Sequence, residues 1–256
     1  MKNNILKIEN LKKHFGGVLA VDDCSFDVSQ GKITALIGPN GSGKTTVFNL
    51  ISGVTRADSG KILFNNHELT RLSPEIISNL GISRVFQQSR LFNNLTVEEN
   101  LLLAFDNDDQ NFWSNFLGFK WGQRESLVSL LESKKRVIND YLVSLRIAHM
   151  RDEKTRDLSF GQKRLVEILR ALINPHDLLM LDEPVAGVTP ELRGKIKEVL
   201  LELKAKGETI LLIEHDMNFT LNVADIVIVM DAGQVIAEGT PDEIRHNPQV
   251  LEAYLD

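Results

Sequence analysis

A single cysteine, Cys24, occurs in the 256-residue chain, so no internal disulfide can form, and a small buried thiol in a reducing compartment is its expected use. No apolar run is long enough to cross a bilayer, and residues 1–9 lack the sustained apolar stretch of a secretory leader. A cytosolic protein is therefore expected, one that works at a membrane only through partners that span it. A basic excess is missing too: the formal charge is −6 with both signs interleaved, which argues against nucleic acid as a partner. Internal repeats and low-complexity tracts are absent, which removes repeat arrays from consideration. What remains is an ordinary globular composition, 43% hydrophobic, sufficient for one domain with an insertion or two small lobes.

Against that background one stretch stands out. Gly38-Pro39-Asn40-Gly41-Ser42-Gly43-Lys44-Thr45-Thr46 fits G-x-x-x-x-G-K-[ST], preceded by a β-branched apolar run at residues 32–37 and followed by a helical pattern from Val47. Strand, loop and helix in that order form a phosphate cradle: glycines let successive N–H groups converge on an anion that the positive helix end also attracts. Lys44 is expected to reach the β- and γ-phosphates of ATP, and the Thr45 hydroxyl to bind the Mg2+ that bridges them. Thr46 closes the motif without a separate role.

Residues 5–11, 25–28 and 61–64 read as short strands, with a turn at 14–17, so the front of the chain is β-rich. Residues 97–105 and 125–145 are helical; between them lie a polar break at 106–110 and the aromatics Phe112, Trp113, Phe116, Phe119 and Trp121. From residue 162 onward helices and apolar strands alternate, the pattern of parallel strands with crossover helices. The expected architecture is α/β: a P-loop core with a mainly parallel sheet, an antiparallel β subdomain and an inserted α-helical subdomain. Approximate bounds are 1–88 with 163–256 for the former two and 89–162 for the helical part.

Two further segments carry chemistry. The apolar run 178–181 ends in Asp182 and Glu183, placing two carboxylates at the end of a buried strand. Asp182 is expected to bind magnesium directly or through water, and Glu183 to take a proton from, or orient, the attacking water. Leu158-Ser159-Phe160-Gly161-Gln162 opens a helix, with Ser159 suited to an N-cap and Gly161 to close backbone approach, which makes a second anion site.

With that segment the chain resembles, over nearly all its length, the ATP-binding subunits of ABC transporters, whose signature Leu-Ser-Gly-Gly-Gln is matched except at Phe160. The resemblance implies a head-to-tail pair of such subunits in which Ser159, Gly161 and Gln162 of one chain close over the ATP held by the other's loop. It implies that Gln87 contacts magnesium and the attacking water and that His215 contacts the γ-phosphate. Phe15 then stacks on adenine. Where the family commonly has Ser-Ala-Leu-Asp after the carboxylates and a proline, this chain has Ala186-Gly187-Val188-Thr189, without the aspartate. Implied partners are a second ATPase subunit, identical or paralogous, two membrane permease subunits at the cytoplasmic face, and a periplasmic or extracellular solute-binding protein.

Residues 15–21, 85–92, 214–217, 237–241 and 247–255 look like the subunits for uptake of branched-chain amino acids, and the aromatic insertion like the larger of that system's two ATPases. Urea or amide importers and lipopolysaccharide exporters share much of the pattern. A non-transport ABC ATPase fits less well with one phosphate loop, an acidic balance and a short insertion.

Overall fold

The computed structural model describes residues 3–86, 90–105 and 123–254, and the elements below are numbered among these. The chain divides into two compact units, Met1–Gln87 with His176–Asp256, and Gln88–Pro175. The helix Phe160–Ile173 falls in the second unit, whereas the sequence places residues 163 onward with the α/β part.

In the first unit a six-stranded sheet follows the order β10-β9-β3-β8-β7-β6. Its strands are β3 (Ile33–Ile37), β6 (Ile82–Val85), β7 (Leu178–Asp182), β8 (Ile210–Ile213), β9 (Ile226–Asp231) and β10 (Gln234–Gly239). Neighbouring pairs from β9 through β6 are parallel, and only β10 joins antiparallel, on β9. Every residue of β3, β7 and β8 is buried, which explains why these strands read as continuous apolar runs: both sheet faces are covered. Helices α1 (Lys44–Ile51), α2 (Pro74–Asn79), α6 (Pro190–Ala205), α7 (Met217–Val223), α8 (Pro241–Arg245) and α9 (Pro248–Ala253) belong to the same unit.

A second, antiparallel sheet of order β2-β1-β4-β5 is made by β1 (Asn4–Phe15), β2 (Val18–Ser29), β4 (Ser59–Phe64) and β5 (His67–Glu68). The turn expected over 14–17 is tighter than the sequence suggests. His14 and Phe15 still pair with Leu19 and Val18, and only Gly16 and Gly17 turn. Opposed irregularities at Asn10 (φ 48°) and Asp23 (φ 58°) interrupt the ladder, and the Asn10 amide donates to the Asp23 carboxylate at 2.9 Å. Apolar residues of both sheets and of α1, among them Leu6, Phe26, Phe48, Phe64, Met180 and Ile213, share one core. Cys24 lies in it, and burial pushes its thiol up to about 12, which suits the inert role expected of it.

The second unit comprises α3 (Val97–Leu102), α4 (Gln123–Ser144), two 3-10 turns at Ala148–Met150 and Thr155–Asp157, and α5 (Phe160–Ile173). Thr96 and Glu99 close a capping box at α3. Asn100, fully buried, accepts from the Phe92 N–H at 2.8 Å and donates to the Thr96 carbonyl at 2.9 Å, so its amide replaces ladder bonds that a loop cannot make for itself. The polar break and the aromatic cluster lie outside the described residues.

Leu36 is wholly buried in the central strand. Leu36→Ala should cost about 2–5 kcal/mol, read as a lowered urea midpoint, while Leu251→Ala, at a side chain 53% exposed, should stay within about 0.5 kcal/mol.

Candidate functional site

Gly38, at φ 149°, follows β3 directly, and a Cβ there would lie 2.0 Å from the Met230 carbonyl oxygen. Gly43, at φ 98°, is the N-cap of α1, and a Cβ there would lie 2.4 Å from the Ala20 carbonyl oxygen. Both positions therefore exclude any side chain on conformation and space together, whereas Gly41 (φ 85°) faces open space and is constrained by its backbone alone. The Ser42 N–H donates to the Pro39 carbonyl at 3.2 Å and tightens the loop around Asn40.

Because the cap is glycine, no side chain accepts from the first turn of α1, in contrast to the capping boxes of α3 and α5. Its N–H groups and dipole are thus available to an anion. The Lys44 ammonium lies among the loop's own oxygens, donating to the Gly38 carbonyl at 2.8 Å, the Pro39 carbonyl at 2.8 Å and Ser42 Oγ at 3.2 Å. Burial lowers its pKa, and the Glu183 charge opposes that shift. Thr45 is exposed beside it and Thr46 half-buried.

Parallel register carries the other groups to the same sheet edge. Asp182 is the last residue of β7 and pairs with Ile213, the last of β8. Asp182 as a whole is 3% exposed, and its carboxylate is held by Arg84 of β6 at 2.9 Å. Glu183 adopts φ 49°, a left-handed conformation costing about 1–2 kcal/mol in a residue with a Cβ, and its N–H donates to the Ile213 carbonyl at 3.0 Å. That bond extends the β7 to β8 pairing by one residue while turning the side chain out of the strand's alternation. Glu183 Oε1 lies 3.9 Å from His215 Nδ1, too long for a hydrogen bond but close enough for charge to act. Next to the histidine, Asp216 caps α7 by accepting from the Phe219 N–H at 2.9 Å, and it forms an ion pair with Arg193 of α6.

Glu214 falls within the segment 214–217, but the sequence assigns it no role. It is fully buried, accepts from the Val185 N–H at 2.9 Å through one oxygen, and leaves the other without a hydrogen-bond partner among the described residues. It ties the end of β8 to the turn that follows Glu183. Burial raises its carboxyl pKa, against the opposing Val185 hydrogen bond and the nearby His215.

The described residues contain no cluster of three or more His, Cys, Asp or Glu side chains that could cage a metal. Asp182 and Thr45 offer hard oxygen ligands beside the loop whose N–H groups are available to an anion, an incomplete set of the kind Mg2+ completes with phosphate oxygens and water. The residues present therefore fit that ion. Gln87 lies outside the described residues.

Phe15, at the end of β1, is 50% exposed, with the Lys13 ammonium 5.3 Å from its ring centroid. The signature residues belong to the second unit. Ser159 Oγ accepts from the Gln162 N–H at 3.3 Å, and Gln162 Oε1 accepts from the Ser159 N–H at 2.8 Å, a capping box that leaves Gly161 buried and Phe160 53% exposed at the tip of α5. Thr189, where an aspartate is usual in the resembling family, is the N-cap of α6 and makes no side-chain cap bond.

Residues 21–186 match the family model for ABC transporters, and residues 234–255 match one for branched-chain amino acid ATP-binding cassette transporters. The LivG protein of Archaeoglobus fulgidus is 39% identical over 251 residues, covering 98% of this chain and 95% of that one. The high-affinity branched-chain amino acid transport ATP-binding protein LivG of Escherichia coli is 36% identical over 260 residues, covering 100% and 99%. Among solved structures, the ADP conformation of an ATP-binding cassette of an ABC transporter superimposes with a TM-score of 0.82 at 38% identity, covering 98% of each chain.

The raised Glu214 pKa gives stability that is complete below the ordinary carboxyl value of 4.5 and is lost as pH rises through the raised folded value. Glu214→Gln keeps an acceptor for the Val185 N–H and removes the titration. Relative to wild type it should gain stability between pH 5 and 8, on the order of the pH span of that titration, with urea midpoints at both pH values as the check.

Proposed function

Since the chain belongs to the ABC transporter family, whose ATP-binding subunits hydrolyse ATP, we propose that it powers import of branched-chain amino acids. The observation that carries this reading is the meeting of three strand ends at one edge of the parallel sheet: Gly38 after β3, Asp182 and Glu183 at β7, and His215 just beyond β8. The substrate class rests on the second family model over residues 234–255 and on what the LivG relatives are named for.

In this reading the loop 38–46 holds the triphosphate through backbone N–H groups, and Lys44 leaves its loop carbonyls for the β- and γ-phosphates. Mg2+, when bound, neutralises charge on the phosphate oxygens; Thr45 and Asp182 would hold it, with Gln87 as a further ligand. Phe15 stacks on the adenine. Glu183 orients a water and takes its proton as the water oxygen bonds to the γ-phosphorus and the bond to the ADP oxygen breaks, giving ADP and phosphate. His215, 3.9 Å from Glu183, donates to the γ-phosphate.

The capped tip of α5, carrying Ser159, Gly161 and Gln162, closes over the nucleotide of a second ATPase subunit, and that closure drives two permease subunits. A solute-binding protein delivers the amino acid outside. No described helix is long and apolar enough to cross a membrane, so attachment to the cytoplasmic face runs through the permeases.

Lys44→Ala should weaken binding of a fluorescent ATP analogue about 10- to 150-fold, the worth of one charged hydrogen-bonding group. Glu183→Gln should lower kcat about 10²- to 10⁴-fold and move the chain to dimer size in gel filtration with ATP and magnesium. Co-expression with candidate permeases in vesicles tests the solute: ATP-dependent leucine uptake is the expected result, and a complex that moves only an unrelated solute refutes that assignment.

A further inference from the structure

Arg84 has no place in the reading above, yet it joins three parts of the nucleotide site. In the parallel register of β6 and β7 it stands opposite Met180, two residues before Asp182 on the same sheet face. Its guanidinium donates through Nη2 to Asp182 Oδ2 at 2.9 Å and through Nη1 to Asn49 Oδ1 at 2.9 Å and Ser52 Oγ at 2.7 Å, both at the far end of α1. The rings of Phe48 and Phe86 lie 5.6 and 4.6 Å away. The side chains of Arg84 and Asp182 are only 5% and 4% exposed.

A buried ion pair adds little to stability, because desolvating both groups consumes most of their attraction. What the fork geometry of arginine does well is fix orientation, since one planar group can hold several acceptors at set angles. Here the acceptors are a strand-end carboxylate and the body of the helix whose other end is the phosphate loop. Lysine, a single flexible point charge, could meet Asp182 but not bridge all three acceptors in that geometry.

We propose that Arg84 is a positioning residue of the nucleotide site, clamping Asp182 to α1 so that the carboxylate is set for the metal that accompanies ATP. The proposal rests on the assignment of Asp182 as a magnesium ligand. Groups of this kind behind a metal ligand are worth about 10- to 100-fold in metal affinity.

The test measures affinity of the full chain for a fluorescent ATP analogue in saturating magnesium and in EDTA, for wild type, Arg84→Met, Arg84→Lys and the pair Asn49→Ala with Ser52→Ala. Wild type should bind more tightly with magnesium. In Arg84→Met that tightening should shrink about tenfold or more while affinity in EDTA stays within about twofold of wild type; Arg84→Lys should be intermediate. The Asn49 and Ser52 pair keeps the charge on Asp182 but frees the guanidinium from α1, and it should lose part of the tightening. Should Arg84→Met fail to fold by circular dichroism, this pair decides the matter. A full magnesium response in folded Arg84→Met or in the pair, or an equal loss in magnesium and EDTA, would overturn the role of Arg84 alone. A wild type indifferent to magnesium would overturn the metal assignment and the proposal with it.

Discussion

The parallel ladder joining β7, β8, β3 and β9 sets everything that follows. Leu36 pairs with Ile213 on one side and with Ile228 on the other, and Ile213 pairs with Asp182. Since strands so registered end together, the chain turns leave the sheet at one edge. Interior positions of these strands are buried on both faces and are apolar except for Thr34 of β3; the charged groups begin where the strands stop. Lys44, Asp182, Glu183, Glu214 and His215 are near one another for that reason, although they come from segments far apart in the chain.

That edge is also where the structure departs from relaxed geometry. Glu183 sits at positive φ, Glu214 is buried with one oxygen unpartnered among the described residues, and the Lys44 ammonium is packed among carbonyls. Each feature costs free energy that the surrounding sheet must offset. The apolar side chains of the buried strands supply it.

The second unit uses polar pins instead of a sheet. Glu167 of α5 accepts from the Arg90 N–H at 2.8 Å and pairs with Arg164 at 3.3 Å, while Arg170 donates to the Arg90 carbonyl at 2.7 Å. The backbone of Arg90 is thus fastened to the helix that begins at Ser159. Any movement of that helix engages Arg90 directly.

Local order was legible in the residues themselves. The glycine-rich loop, the alternation of buried strands with helices, the cap formed by Ser159 and Gln162 and the carboxylates ending β7 all depend on neighbours within a few positions, where spacing and side-chain type constrain the backbone directly. The resemblance to ABC transporter subunits added Phe15, Gln87 and His215 as expected site residues and a second subunit as the expected partner of Ser159. Long-range pairings left no such trace. Arg84 and Asp182 are 98 residues apart, and Glu214 and Val185 are 29 apart; nothing in either segment announces the other. Their meeting was decided by strand order, because only the sheet specifies which side chains share a face, and with it which charges are buried together.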